Sequence, residues 1–368
     1  MNAPSAPRLL DDSIRRMLEE QERLTLAPSA CLVVNSRGRR HKDLTCFIRT
    51  AFQRDIDRII HSESFRRLKH KTQVFLAPEN DHVRTRMTHT LEVVGIARTL
   101  ARALQLNSAL VEAIALGHDL GHTPFGHAGE QVLAEISDTP FHHATHSLRV
   151  VETLEKGGKG LNLSLEVLDG IVKHSKGRKG SMFVDEGPDS PLTLEARVVR
   201  VADLIAYINH DIDDAIESGL ITVADLPPGP TRLLGERHAS RIHNMLKDII
   251  SQSRETDKIK MSPEVCQATE ELREFLYQSV YTRPEIEGEI EKSRQLLRMM
   301  ANWFMKNPNA LLSRIKGALP EGQSLKQTLV DYLAGMTDAF AITTFKSIFL
   351  PHYHLDAGPF PQAAGGLT

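Results

Sequence analysis

Little in the 368-residue chain points away from an ordinary globular protein. Its three cysteines, Cys31, Cys46 and Cys266, have no paired spacing, which argues against a disulfide framework and against a zinc ribbon. Forty-five lysines and arginines against 47 aspartates and glutamates leave a net charge of −2. Composition therefore gives no indication of a nucleic-acid partner, single-stranded or otherwise. No apolar run reaches about 18 residues, so no membrane-spanning helix is expected. The first residues, with Pro4, Pro7, Asp11 and Asp12, lack the basic and apolar regions of a secretion signal, and the cytoplasm is the default location. Strand signals are nearly absent as well, so the fold is expected to be all-α.

The most informative stretch is Ala115-Leu116-Gly117-His118-Asp119-Leu120-Gly121-His122-Thr123-Pro124-Phe125-Gly126-His127. Asn107 is a good N-cap, and Leu110, Val111, Ile114 and Ala115 follow at helical spacing, with Gly121 as the stop. His118 and Asp119 then fall in the last turn of this helix. Thr123 and Pro124 are expected to cap and start the next one, which carries Val132, Leu133 and Ile136. A bare His-Asp pair says little. Upstream, however, Arg86-Met87-Thr88-His89 opens an amphipathic helix with Val93, Ile96, Ala97, Leu100 and Leu104 on its apolar side. Downstream, Leu194, Val198, Val201, Ile205, Ile208, Ile212 and Ile216 mark a long helix whose opposite stripe is Asp203, Tyr207, His210, Asp211 and Asp214. A solvated face would mix lysine with glutamate, and this one has neither. His89, His118, Asp119 and Asp203 offer two imidazoles and two carboxylates from three helices, a donor set suited to Mn, Fe, Co, Ni, Zn or Mg.

The order His89, His118-Asp119, Asp203 resembles the H…HD…D signature of the HD-domain phosphohydrolases. Further stretches, Arg54-Asp55-Ile56-Asp57-Arg58-Ile59-Ile60-His61-Ser62 and Phe65-Arg66-Arg67-Leu68-Lys69-His70-Lys71-Thr72-Gln73-Val74-Phe75, together with His118 to His127, are similar to the bacterial dGTPase-like deoxynucleoside triphosphate triphosphohydrolases. These are relatives of the mammalian SAM and HD domain dNTPase. The similarity runs from about Leu26 to about Ser218 and is weaker beyond. It implies an HD-domain helical core and a metal-dependent hydrolysis of dGTP or a broader set of dNTPs to deoxynucleoside and tripolyphosphate. It also implies a divalent ion (Mn, Mg, Co, Ni or Fe) on His89, His118, Asp119 and Asp203.

The same resemblance implies roles for other residues. Arg86 would contact the substrate phosphates and Gln73 the sugar or base; His122 and His127 would face the phosphates, and Tyr207 and Asp211 would lie near the sugar. His143, oriented by Glu130, matches the catalytic histidine, set either to protonate the nucleoside 5′-oxygen or to deprotonate the water. Here the chain departs from the usual pattern, something like Glu-His-Asn-Ala-Gln-Ser, and has His142-His143-Ala144-Thr145-His146-Ser147. Two rival readings stay open, another HD nucleotide phosphohydrolase or phosphodiesterase and a dNTP-binding regulator without turnover. The resemblance points to a homo-oligomer, and leaves open whether it has four or six subunits and whether a dNTP activates at a second site.

Organisation along the chain is read as an N-terminal arm or loop over 1–43, a core over 44–219 and a C-terminal helical region over 220–368 that packs and makes subunit contacts. Ser13 to Gln21 reads as a short helix. Arg37-Gly38-Arg39-Arg40-His41-Lys42 reads first as a solvated loop. Arg54 to Lys71 reads as a basic helix with phosphate as its counter-charge. Lys156-Gly157-Gly158-Lys159-Gly160 lacks the context and GK[ST] ending of a P-loop and is read as a turn. His174 reads as a capping or core-edge residue. Asp225-Leu226-Pro227-Pro228-Gly229-Pro230 is expected to break the chain. Helices are then expected over Ile242 to Ser253, Pro263 to Tyr281, Ile286 to Met305, Ala310 to Ala318 and Leu325 to Phe349, with His352 and His354 exposed in the tail.

Overall fold

The computed structural model describes residues 13–74, 83–175, 187, 189–315 and 322–351. Phe75, the basic loop over 176–180, residues 316–318 and the tail histidines His352 and His354 lie outside them. Among the described residues the fold is all-α: no strand forms, and only two isolated bridges join extended residues, Arg39 with Ser164 and Thr72 with Thr85. No helix among them is long and apolar enough to cross a membrane.

Helix α1 spans Ser13–Thr25, one turn longer than its charge pattern suggests. The basic stretch is two helices, α2 (Ala51–Ile60) and α3 (Glu63–Arg67), separated by the Ser62 N-cap, which accepts the Phe65 amide proton. Its arginines are paired within the chain. Arg54 and Arg58 both reach Asp43, Arg54 at 3.0 Å, and Arg67 reaches Glu63 at 3.2 Å. Carboxylates of the same chain thus give Arg54, Arg58 and Arg67 their counter-charge. The Arg37–Lys42 segment is likewise not simply solvated. Arg39 is buried against Asp55 and donates to the Ala51 carbonyl at 2.9 Å, which ties the N-terminal segment to α2.

Helices α4 (Arg86–Ala103), α5 (Ser108–Gly117) and α10 (Leu194–Glu217) form the centre. The most extensive helix contacts are α10 with α4, α4 with α5, and α2 with α5. Each begins on a side-chain cap, Thr85, Asn107 and Thr193 respectively, and such caps are worth about 1 kcal/mol each. Fully buried Val93, Leu100, Leu110, Ile114, Val198, Ile205 and Ile212 fill the interface. Helices α6 (His127–Ile136), α7 (His143–Arg149), a kinked turn α8 (Glu155–Gly158) and α9 (Leu165–Val172) complete this half.

After α10 come α11 (Pro228–Leu234), α12 (His238–Ser253), α13 (Pro263–Leu276), α14 (Pro284–Lys306), α15 (Pro308–Arg314), α16 (Leu325–Ala334) and α17 (Asp338–Phe349). Pro228 does not break the chain but starts α11, as its fixed φ suits the first helical position. One apolar core runs from Val33 to Val280. A second gathers Phe125, Val132 and Leu133 with residues of α14, α16 and α17. The stretch expected as one helix over Leu325 to Phe349 is two, because Thr337 leaves helical geometry and caps α17 by accepting the Phe340 amide proton. That break sets Asp338 at the first turn of α17.

Candidate metal and phosphate site

The turn between α5 and α6 differs in detail from its sequence reading. Helix α5 ends at Gly117, with His118 at its C-cap and Asp119 in the turn that follows. Gly121 is required by packing and not by a left-handed stop: a Cβ there would lie 2.1 Å from the Ser147 backbone nitrogen. The Ser147 hydroxyl locks this contact, accepting from the Gly121 N–H at 2.9 Å and donating to the His118 carbonyl at 2.8 Å. Thr123 and Pro124 do not start α6. Gly126, with φ of +58°, precedes it, and Thr123 Oγ1 donates to the Gly126 carbonyl at 2.7 Å. A left-handed residue is cheap there only because it is glycine.

This turn carries His118 and Asp119 to α4 and α10. His118 Nε2 lies 3.4 Å from His89 Nε2, and Asp203 Oδ1 lies 3.1 Å from His89 Nε2 and 3.9 Å from His118 Nε2. Asp119 Oδ2 lies 3.9 and 3.7 Å from the same two nitrogens. Donors about 2.0–2.2 Å from one ion sit roughly 3.0–3.5 Å apart along the edges of its coordination shell. The observed spacings come close to that, tightest for His89, His118 and Asp203, which form one group that could hold an ion. Asp119 also belongs to a second such group, with His122 and His143.

The protonation pattern suits ligation. His118 Nδ1 lies 2.6 Å from the Ala115 carbonyl, which can only accept, so Nε2 presents its lone pair. His89 Nδ1 is 2.8 Å from His210 Nε2, whose ring in turn stands beside Asp211. Such outer partners orient a ligating imidazole. Burial alone would raise the carboxyls, yet while the imidazoles carry protons His118 and Arg86 hold Asp119 well below the usual carboxylate range, and His89 and His118 do the same for Asp203; a bound ion would take the place of those protons. Both enter the site ionised.

Residues 86–208 match the HD domain and residues 259–347 match the phosphohydrolase-associated domain. Deoxyguanosinetriphosphate triphosphohydrolase-like proteins of Desulfatibacillum aliphaticivorans and Caldanaerobacter subterraneus subsp. tengcongensis are 49% and 48% identical to this chain. Each alignment covers 92% of it, with 99% and 96% of the relative. The chain belongs to the deoxyguanosinetriphosphate triphosphohydrolase-like family. It is an HD-domain phosphohydrolase, and its His/Asp groups could hold a metal ion.

Around the four donors this HD phosphohydrolase gathers a basic and imidazole-rich shell. Arg86, at the first position of α4, donates to Asp119 Oδ2 at 2.6 Å and to the Thr72 and Gln73 carbonyls at 3.2 Å each. Two of its five N–H groups stay free of these bonds. Gln73 is buried with Oε1 unpartnered, whereas Asp211 Oδ1 lies 2.8 Å from His210 Nδ1. Asp211 Oδ2 accepts from the Tyr281 hydroxyl. Tyr207 is half-buried one turn before.

His122 and His142 stack on the two faces of His143, with ring centroids 4.7 and 4.5 Å away. Glu130 Oε1 accepts from the His143 backbone N–H at 2.8 Å and lies 3.0 Å from its Nδ1, while Oε2 lies 3.1 Å from Nδ1 of the exposed His127. On its other side His143 Nε2 is 3.2 Å from His174 Nε2. His174 Nδ1 points at the Ile171 carbonyl, 2.7 Å away, so its Nε2 can only accept. Burial and the nearby His118 push His174 down to about 3, so it stays neutral. Both His143 nitrogens therefore donate. Burial works against that charge, but the Glu130 hydrogen bond and charge raise His143 above the ordinary imidazole value.

Beyond the corrected turn, the structure adds several residues to the site. His174 does cap the end of α9 through the Ile171 carbonyl, and beyond that it is buried against both His143 and His118. His146 turns away from His143 toward Phe141 and Asp331. Lys71 was read only as part of the basic stretch and His210 only as a member of the Asp203 face; Tyr281 and Asp338 received no role, since they come from distant segments with no local signal.

Proposed function

We propose that the protein hydrolyses deoxynucleoside triphosphates, dGTP among them, to deoxynucleoside and tripolyphosphate at a divalent ion held by His89, His118, Asp119 and Asp203. The observation that carries this reading is the convergence of those four side chains, from three separate helical segments, beside an arginine and a cluster of histidines. The names of the relatives supply the substrate class. A bound divalent ion would polarise the α-phosphate and lower the pKa of water. Arg86, with two free N–H groups, would hold phosphate oxygens in a bidentate fork. His122 and His127 would add donors along the polyphosphate. Arg86 would supply the counter-charge that phosphoryl chemistry needs, while His122, kept neutral by burial and the Arg86 charge, would act as a hydrogen-bond donor only.

His143 is proposed as the general acid. Its doubly protonated state, set by Glu130 on Nδ1 and by lone-pair acceptance at His174 Nε2, favours proton delivery to the nucleoside 5′-oxygen over proton removal from water. Displacing His174 by that oxygen would leave Nε2–H aimed at the leaving group. Gln73 is proposed to face the sugar, since its unpartnered buried Oε1 needs a hydrogen-bond donor, and Asp211, with Tyr281 bonded to it, is proposed to lie near the sugar as well. The Tyr207 ring is proposed to disfavour a 2′-hydroxyl. The assembly is proposed to be a homo-oligomer.

The test is a product assay of all four dNTPs with titration of Mn²⁺, Mg²⁺ and Co²⁺ and a His118→Ala control. Deoxynucleoside plus tripolyphosphate, lost in the variant, is expected. Orthophosphate as the product would point to a different HD phosphohydrolase, and binding without turnover to a regulator.

A further inference from the structure

The break between α16 and α17 places one carboxylate across two loops of the site. Asp338 Oδ2 accepts from the Thr72 N–H at 2.9 Å, and Oδ1 accepts from the Phe125 N–H at 3.0 Å. Thr72 and Gln73 hold Arg86 through their carbonyls, and Arg86 holds Asp119. Phe125 lies in the turn between His122 and His127, where it and Gly126 both have left-handed φ, +60° and +58°. A non-glycine residue in that region is strained and persists only where its surroundings hold it. Beside this, Nζ of the buried Lys71 donates to the His122 carbonyl and, at 2.8 Å, to the Ala334 carbonyl at the end of α16. The α16–α17 corner therefore grips both sides of the arginine and histidine cluster by polar bonds.

We propose that Asp338 is a positioning residue for the phosphohydrolase reaction: its carboxylate holds the 72–73 segment and the 122–127 turn at the separation that lets Arg86, His122 and His127 act on one polyphosphate. The assignment rests on the reading of Arg86, His122 and His127 as phosphate-binding. Asp338 touches neither the proposed metal ligands nor His143 through any hydrogen bond of its own. Its removal should loosen phosphate recognition while leaving the ion-binding donors in place. A further attachment of this corner, Arg149 to Asp331 at 2.7 Å through both oxygens, joins the same two parts of the fold with no hydrogen bond to either loop. It serves as the control for mere packing.

The experiment compares Asp338→Asn, Asp338→Ala and Asp331→Asn with the wild type. It measures inorganic tripolyphosphate affinity by calorimetry, Mn²⁺ stoichiometry, kcat and KM for dGTP, and Tm. Asparagine keeps one acceptor and alanine none. Tripolyphosphate affinity and kcat/KM should therefore fall by about 10-fold in Asp338→Asn and about 100-fold in Asp338→Ala, since each lost partner strands a backbone donor. Mn²⁺ stoichiometry should stay unchanged, and Asp331→Asn should lower Tm while keeping wild-type kcat/KM. The proposal is overturned if the Asp338 variants lose only Tm, as Asp331→Asn does, with tripolyphosphate affinity and kcat/KM intact. It also falls if the wild type binds no tripolyphosphate, a result that refutes the phosphate-site reading itself and is told apart by the wild-type arm alone.

Discussion

Replacing Glu130 by glutamine tests the assignment of His143 more sharply than removing the histidine. The side chain keeps its shape but loses its charge, and Oε1 now accepts from the His143 N–H groups as a neutral amide. A hydrogen bond to an ionised partner is worth about 1.5–3 kcal/mol, against roughly 0.5–1.5 for a neutral one. The difference of about 1–2 kcal/mol corresponds to roughly one pKa unit, at about 1.36 kcal/mol per unit. Because His143 stands above the ordinary imidazole value on account of Glu130, the variant histidine should titrate about one unit lower. The sign follows from the role. A general acid works while protonated, so activity is present below its pKa and lost above it, and the alkaline limb of the kcat profile should move to lower pH. With positioned acid catalysis worth about 10²–10⁴-fold, kcat at the optimum should fall by roughly 10²-fold. The assay is deoxyguanosine release from dGTP by chromatography across about pH 5.5–9.5 at saturating Mn²⁺. An alkaline limb left in place, or a variant within about threefold of wild type, would refute the acid assignment. Movement of an acidic limb instead would make His143 the base.

Other perturbations bear on the site and on the fold. Asp203→Asn should remove bound Mn²⁺, read by elemental analysis, and cut turnover at least about 10³-fold while the helical circular dichroism stays intact, since a neutral amide cannot replace an ionised ligand. Asp55→Ala should cost about 3–5 kcal/mol in urea unfolding, because it strands the buried Arg39; a loss under about 1 kcal/mol would mean the pair is dispensable. His146 is pushed by burial down to about 4, so its neutral form stabilises the fold fully above about pH 6.5. That stability drains as pH falls from about 6.5 toward about 4, by about 3 kcal/mol in all. His146→Phe should flatten the acid side of the stability curve, and a curve parallel to wild type between about pH 7.5 and 4.5 would contradict this. Finally, dGTP should turn over faster than GTP if the Tyr207 ring crowds a 2′-hydroxyl, and equal rates would end that idea.

What the sequence determined by itself was local. The 3.6-residue periodicity placed α4 and α10 to within a residue or two, and the Asn107 cap placed the start of α5, which ends at Gly117, short of its expected stop at Gly121. The same periodicity put Asp203, Tyr207, His210 and Asp211 on one face, and the resemblance supplied the roles of His89, His118, Asp119 and Asp203. Local pattern misled where the deciding contact was not local: Gly121 looked like a helix stop but is small because α7 crosses it, and Arg39 looked solvated but finds Asp55. Only the tertiary structure brought Lys71, His174, Tyr281 and Asp338 to the site, from segments up to 267 residues apart (338 − 71). It alone set the charge on His143, since a ring becomes a double donor through the acceptors on its two sides. Neither acceptor is its neighbour in the chain, so sequence spacing carries no trace of the pairing.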